Sequence, residues 1–262
     1  RVVPSRDYFQ SLCENNVADY LSKQSYGQYN IQCDVQEWKL SNDTEAFHAA
    51  GISNNNSPEE SASFAVAVLD QLDTEFNGDW SKYDVDGDGA LDAVILLHSG
   101  WAAERGIDTS CTGGTDPDNR LQSKAGPASG DAWRSKLNRK YWLSGYGIAS
   151  AFDTTCSNKA ALMGVMTHEY VHLFGAPDLY DPNQYRGGLG HFDIMSNPEG
   201  AVPGYVPGSA SPYIKIGIGW MKPEFIEYDG EYSLRASNLY PESFIIEKNF
   251  PPGEYLIIEN RQ

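Results

Sequence analysis

Two histidines and a glutamate within six residues carry the sharpest chemical signal in this sequence. The segment reads Thr167-His168-Glu169-Tyr170-Val171-His172. On a helix, residues four apart share a face, so both imidazoles can point at one ion. Neutral imidazole is a good zinc ligand. Glu169 follows the first histidine directly, where its carboxylate can reach an ion-bound water rather than the ion. Zinc lowers the pKa of such a water towards ~7, and a neighbouring carboxylate can accept the proton. The resulting hydroxide can attack a peptide carbonyl, and Glu169 can return the proton to the leaving amine.

The pentapeptide alone also arises on ordinary helices that carry two solvated histidines. Its neighbours argue against that here. Ala160-Ala161-Leu162-Met163-Gly164-Val165-Met166 is too apolar for an exposed helix. A buried helix does not carry two histidines and a glutamate without partners. Gly175 can turn the backbone sharply after the helix. Asp178 follows, where it can return a carboxylate to the same ion, or orient a histidine instead. Asp181, Asp193 and Glu199 compete for the ligand role, and His191 is a weaker candidate. A group that stabilises the oxyanion is also expected, with Tyr180, Tyr205 and Tyr213 as candidates.

A second constellation is acidic. Asp84-Val85-Asp86-Gly87-Asp88-Gly89-Ala90-Leu91-Asp92 places carboxylates at alternate positions. Hard oxygen donors at this density suit calcium rather than zinc. Asp84, Asp86, Asp88 and Asp92 are the expected side-chain ligands, Ala90 offers its carbonyl, and Asp79 is a candidate from outside the loop. Where an EF-hand places its bidentate glutamate, this chain has Ile95. The expectation is therefore a structural calcium, not a helix-opening switch.

Several elements must position these groups. Tyr8 to Leu21 reads as a helix, and alternation at Ile31, Cys33 and Val35 reads as a strand. Ser57-Pro58-Glu59-Glu60 is a helix start, with Ser57 as cap and Glu60 closing a capping box. Ala65, Val68, Leu69, Leu72 and Phe76 continue it at helical spacing, and Asn77-Gly78 ends it. Ala93 to Leu97 is apolar on both faces, which predicts a central strand covered on both sides. Residues 105–130 read as a long surface loop, Tyr141 to Ile148 as a strand, and Asn158 to Phe174 as a second long helix. Few helix signals occur between Gly175 and Ser211, and the last forty residues read as short strands.

The chain has 262 residues, 40% hydrophobic and 21% charged, which suits a globular protein of one or two domains. No apolar run approaches the ~20 residues of a spanning helix. The net charge of −17 argues against nucleic acid as a partner. The start, Arg1 to Ser5, lacks the pattern of a signal peptide, so a processed chain is expected. Glu254 to Asn260 reads as a strand, so further polypeptide is expected after Gln262. Of the three pairings open to the four cysteines, Cys13–Cys33 with Cys111–Cys156 keeps each bridge within one half of the chain. Bridges fit an exported protein, as do the sequons at Asn42 and Asn55.

The run His168-Glu169-x-x-His172-x-x-Gly175-x-x-Asp178 resembles the extended zinc motif of the metzincins, with Asp where many members have a third His. Ala176-Pro177-Asp178-Leu179-Tyr180-Asp181 and Gly190-His191-Phe192-Asp193-Ile194-Met195 resemble the immune inhibitor A family of secreted metallopeptidases, which usually has Trp where Phe192 stands. Gln24-Ser25-Tyr26-Gly27, the acidic loop, Pro212-Tyr213-x-Lys215 with Gly219-Trp220, and Ile258-Glu259-Asn260-Arg261 resemble it more loosely. The resemblance implies a secreted zinc endopeptidase made as a zymogen, acting on protein or peptide substrates as a monomer. It implies His168, His172 and Asp178 as zinc ligands, Glu169 as base, and Met195 in a Met-turn beneath the metal. The implied fold is α/β, a metzincin-like catalytic domain over 1–262 with a twisted mixed sheet. Its upper lobe covers about 1–175 and its lower lobe about 176–262. The alternatives are a silent relative that binds protein or glycans, and a metal-stabilised structural module. Retention of Glu169 argues against the first, and the buried histidine motif against the second.

Overall fold

A computed structural model describes residues 2–49, 58–127, 132–181, 188–198 and 206–262. The chain forms two compact units, Arg1–Phe9 with Val35–Leu173, and Gln10–Asp34 with Phe174–Gln262. The helices are α1 (Arg6–Leu12), which runs through a π-turn at Cys13–Val17 into α2 (Ala18–Gln24), then α3 (Glu45–Ala49), α4 (Pro58–Glu75), α5 (Met163–His172) and α6 (Pro212–Gly217). The strands are β1 (Ala90–Leu91), β2 (Ile95–His98), β3 (Lys124–Pro127), β4 (Trp142–Leu143), β5 (Gly145–Ser150), β6 (Glu224–Phe225), β7 (Phe244–Ile246) and β8 (Leu256–Ile258). The expected helix near the N-terminus thus extends to Gln24, and the architecture is mixed α and β with small sheets.

The first unit is organised by a three-stranded sheet of order β2-β5-β3, with β2 parallel and β3 antiparallel to β5. Side chains alternate across β5. Tyr146 and Ile148 join the cluster built by Phe64, Ala65, Leu69 and Leu72 of α4, whereas Gly147 meets α5. The doubly covered central strand is therefore β5. The expectation that the 93–97 run would be central is corrected. Among the described residues β2 lies at an edge and its burial alternates, with Leu96 in the cluster and Ile95 beside Gly147. Each large side chain in this cluster contributes about 1.5–3 kcal/mol by leaving water.

Helix α4 ends as expected. Asn77 and Gly78 both adopt positive φ, and the Gly78 amide donates to the Asp73 carbonyl. Its cap residue Ser57 lies outside the described residues, as does the sequon at Asn55. Asp73 is buried and accepts from Trp80 Nε1, Ser135 Oγ and the Lys136 and Leu137 amides. Burial pushes its carboxyl up, but these bonds prevail and hold it below the ordinary carboxylate range. The second long helix is shorter than expected. Residues 158–162 are not helical: Phe152 is bridged to Ala160 and the Ala161 amide donates to the Ala151 carbonyl, which competes with helix formation. Cys111 and Cys156 are bridged in this unit.

In the second unit Cys13 and Cys33 are bridged, as expected. No strand forms over Ile31–Val35. Side chains take its carbonyls instead, Gln10 Nε2 at Cys33 O in this unit and Arg6 Nε at Val35 O in the first. The Ser211 hydroxyl and Pro212 open α6. Strands β6, β7 and β8 form a small sheet, with β7 central. Ile194, Met195 and Ile214 are fully buried. Among the described residues no helix is long and apolar enough to cross a membrane.

Candidate metal centre

Helix α5 packs on β5, β3 and β2 and is almost entirely buried from Met163 to Val171. Its apolar residues account for the burial, and Thr167 is satisfied within the helix by the Met163 carbonyl at 2.7 Å. Three polar side chains share its remaining surface. His168 and Glu169 are each 4% exposed and His172 is half-buried. The Nε2 atoms of the two histidines lie 3.1 Å apart, with ring planes at 86°. One donor atom from each of His168, Glu169 and His172 lies within 4.8 Å of the others.

These residues fit a zinc ion. Two nitrogens at ~2.0–2.1 Å from a tetrahedral zinc stand about 3.3 Å apart, close to the observed separation. Below Glu169 the sheet offers a glycine. A Cβ at Gly147 would come within 3.1 Å of Glu169 Cβ and 2.7 Å of Ile95 Cδ1. After the helix, Gly175 adopts φ +86°, the conformation expected for its turn.

The other expected site residues belong to the second unit. There Asp178 and His191 are exposed, Tyr180 and Asp181 half-buried, and Tyr213 45% exposed. The Leu179 amide donates to the Met195 carbonyl at 2.8 Å, so the backbone that carries Asp178 is tied to Met195. Glu199 and Tyr205 lie outside the described residues.

The acidic loop brings Asp84, Asp86 and Asp88 together, one oxygen of each within 4.8 Å of the others. Calcium–oxygen distances of ~2.3–2.6 Å allow such a spread around one ion. Backbone amides shape the loop: Gly89 donates to Asp84, Asp88 to Asp86, Ala90 to Asp88 and Val85 to Asp92. Gly89 adopts φ +90°, and a Cβ there would strike the Lys140 carbonyl at 2.7 Å. Asp84 is buried, and Lys140 Nζ lies 3.0 Å from it. Burial pushes this carboxyl up, while hydrogen bonds from Lys140 and Gly89 hold it below its ordinary range. Asp79 turns elsewhere, accepting from the Ser81 amide and hydroxyl.

Residues 6–221 match the family described as immune inhibitor A peptidase M6, catalytic domain. The chain belongs to that family. It is 28% identical over 238 residues to immune inhibitor A of Bacillus thuringiensis subsp. alesti, covering 80% of this chain and 33% of that protein. It is 24% identical over 242 residues to pre-pro-metalloprotease PrtV of Vibrio cholerae serotype O1 (strain M66-2), covering 80% of this chain and 25% of that protein. The chain thus spans about a third and a quarter of the length of these relatives. Family membership makes it a metallopeptidase domain, as the motif from His168 to Asp178 implied.

For this peptidase M6 domain, two residues near the candidate centres escaped sequence reasoning. Lys140 is distant in sequence from Asp84, and Asn138-Arg139-Lys140 carries no periodic signal. Gly147 sits in a strand where glycine reads only as weak β-propensity. Its spacing opposite Glu169 becomes visible only when β5 and α5 are packed.

Proposed function

We propose that this domain is a zinc-dependent endopeptidase in which His168, His172 and Asp178 hold the metal and Glu169 is the general base. The observation that carries this reading is the pair of imidazole nitrogens 3.1 Å apart beside a buried glutamate on one helix. Bound zinc would supply Lewis acidity, acidifying the attacking water and polarising the scissile carbonyl. Glu169 accepts the proton of that water and delivers it to the leaving amine nitrogen. Its burial excludes bulk water from the carboxylate, and the helix keeps it one residue from the first ligand. Among the described residues, strand β3 is an edge of the sheet under α5, a place where an extended peptide can pair with the backbone.

Around this centre the reading adds a metzincin-type arrangement with Met195 in the Met-turn, and secretion of the domain, which its two disulfides suit. A propeptide and a monomeric state are further parts of it. It also adds a structural calcium held by Asp84, Asp86 and Asp88, with Ala90 and Asp92 completing the shell.

The test is zinc content measured beside casein hydrolysis, for the wild type and Glu169→Ala. About one zinc per chain is expected in both proteins, as for a catalytic site. Hydrolysis should fall by about 100- to 10,000-fold in the variant, and 1,10-phenanthroline should abolish it in the wild type. A variant that cleaves at the wild-type rate refutes the role of Glu169. A wild-type protein without zinc refutes the centre.

A further inference from the structure

The Asp193 carboxylate is fully buried in the second unit. Sequence reasoning offered it as a competing metal ligand, but both of its oxygens are already used. Oδ1 accepts the Met195 amide and Oδ2 accepts the Ser211 amide, each at 2.6 Å. Its own carbonyl accepts the Ser196 and Asn197 amides at 3.1 and 2.9 Å. One residue thereby closes the turn around Met195 and ties that turn to the first turn of α6. The Met195 carbonyl in turn accepts the Leu179 amide at 2.8 Å. Leu179 directly follows Asp178. Gly188 closes the far side of the same strip, where a Cβ would lie 1.8 Å from the Leu179 carbonyl and 2.6 Å from Ser196 Oγ. The backbone next to Asp178 is therefore tied to Met195 and passes so close to Gly188 that no side chain fits there.

We propose that Asp193 is a positioning residue that fixes the zinc ligand Asp178 through the Met195–Leu179 backbone bond. This rests on the reading of Asp178 as a ligand. Asp178 is itself exposed and directly follows Pro177. The Leu179–Met195 bond fixes the backbone from which that side chain departs. Only a carboxylate offers acceptors on both sides of one planar group. An amide at position 193 would turn a donor towards a donor, releasing either the Met195 or the Ser211 tie.

The experiment is a double-mutant cycle on zinc affinity, read by competition with a chromophoric chelator. The proteins are wild type, Asp193→Asn, Asp178→Ala and the double variant, and melting of each metal-free protein reports its fold. Asp193→Asn should weaken zinc binding about 10- to 100-fold, the range for groups that orient metal ligands. Asp178→Ala should weaken it at least as much. The double variant should bind zinc no more weakly than Asp178→Ala alone, because a positioning effect vanishes with the ligand it positions. Multiplying losses, or unchanged affinity in Asp193→Asn, overturn the proposal while leaving Asp178 a ligand. Unchanged affinity in Asp178→Ala overturns the ligand reading itself and the proposal with it. If Asp193→Asn does not fold, Asp193→Glu takes its place in the cycle. It keeps both acceptors but moves them by one methylene.

Discussion

Gly147→Ala should slow catalysis through Glu169 without touching any atom that binds metal or substrate. A Cβ at this position would lie 2.7 Å from Ile95 Cδ1, 3.1 Å from Glu169 Cβ and 3.5 Å from Ala125 Cβ. Carbon contacts are comfortable at about 3.5–4.0 Å. The Ile95 contact is therefore short by roughly 1 Å, and the Glu169 contact by roughly 0.5 Å on the same scale. The two overlaps relax differently. Ile95 Cδ1 is the end of a side chain and can rotate away. Glu169 Cβ is fixed to the backbone of α5, so relief requires the helix to move off the strand. Overpacking of this kind costs about 1–3 kcal/mol, which lowers Tm by roughly 2–10 °C in a chain of this size. A 1 Å displacement of a reacting group costs on the order of 100-fold in rate, so half of that should cost roughly 10-fold in kcat. The assay is kcat and KM on a fluorogenic peptide beside thermal melting. The companion variant Gly147→Ala with Ile95→Val removes the clashing methyl. It should recover most of the stability and keep the kcat defect. The reasoning is refuted if kcat is unchanged in Gly147→Ala, or if Ile95→Val restores it.

Two further outcomes follow from the remaining charged sites. Calcium removal by EGTA should lower Tm, since an ion at 100 times its Kd stabilises the fold by about 2.7 kcal/mol; an unchanged Tm would count against calcium at Asp84, Asp86 and Asp88. Lys215 is 3% exposed, and burial pulls its pKa down to about 8, against the opposing pull of Glu259. Between about 8 and 10.5 the unfolded lysine keeps a proton that the folded one has released, so stability should rise with pH across that window. The Tm of wild type relative to Lys215→Met should climb from pH 8 to 10, and a falling difference would contradict the burial of an uncharged amine.

The helical motif was legible because its spacing is local. His168, Glu169 and His172 fall on one turn and a bit of helix, and Gly175 closes it with the positive φ that glycine allows. The acidic loop was legible for the same reason, because its amides and carboxylates are two to seven residues apart. The two strand expectations that failed depended on partners far along the chain, although both disulfides were paired as expected. Ile31, Cys33 and Val35 alternate like a strand, yet side chains from α1 took the backbone groups a neighbouring strand would need. The run at 93–97 looked central because apolar residues follow one another, but an apolar run says only that both faces are covered. It does not say which strand lies in the middle. Asp193 could be read as a candidate ligand from its residue type, and only its bonds to Met195 and Ser211 reveal that both oxygens are committed.

That contrast bears on where substitutions near the centre will be tolerated. A buried helix that presents Glu169 on its sheet-facing side leaves no depth for a side chain beneath it, so the constraint is exported to the strand that crosses there. In β5 the residues on either side, Tyr146 and Ile148, belong to the apolar cluster, and Ile148 can be exchanged for a hydrophobic residue of similar volume at a cost below ~1.5 kcal/mol. Gly147 cannot be exchanged so cheaply, although it neither ligates nor reacts. The chemical motif therefore extends beyond its five contiguous residues to a position in a different element, fixed by the distance between a helix and a sheet.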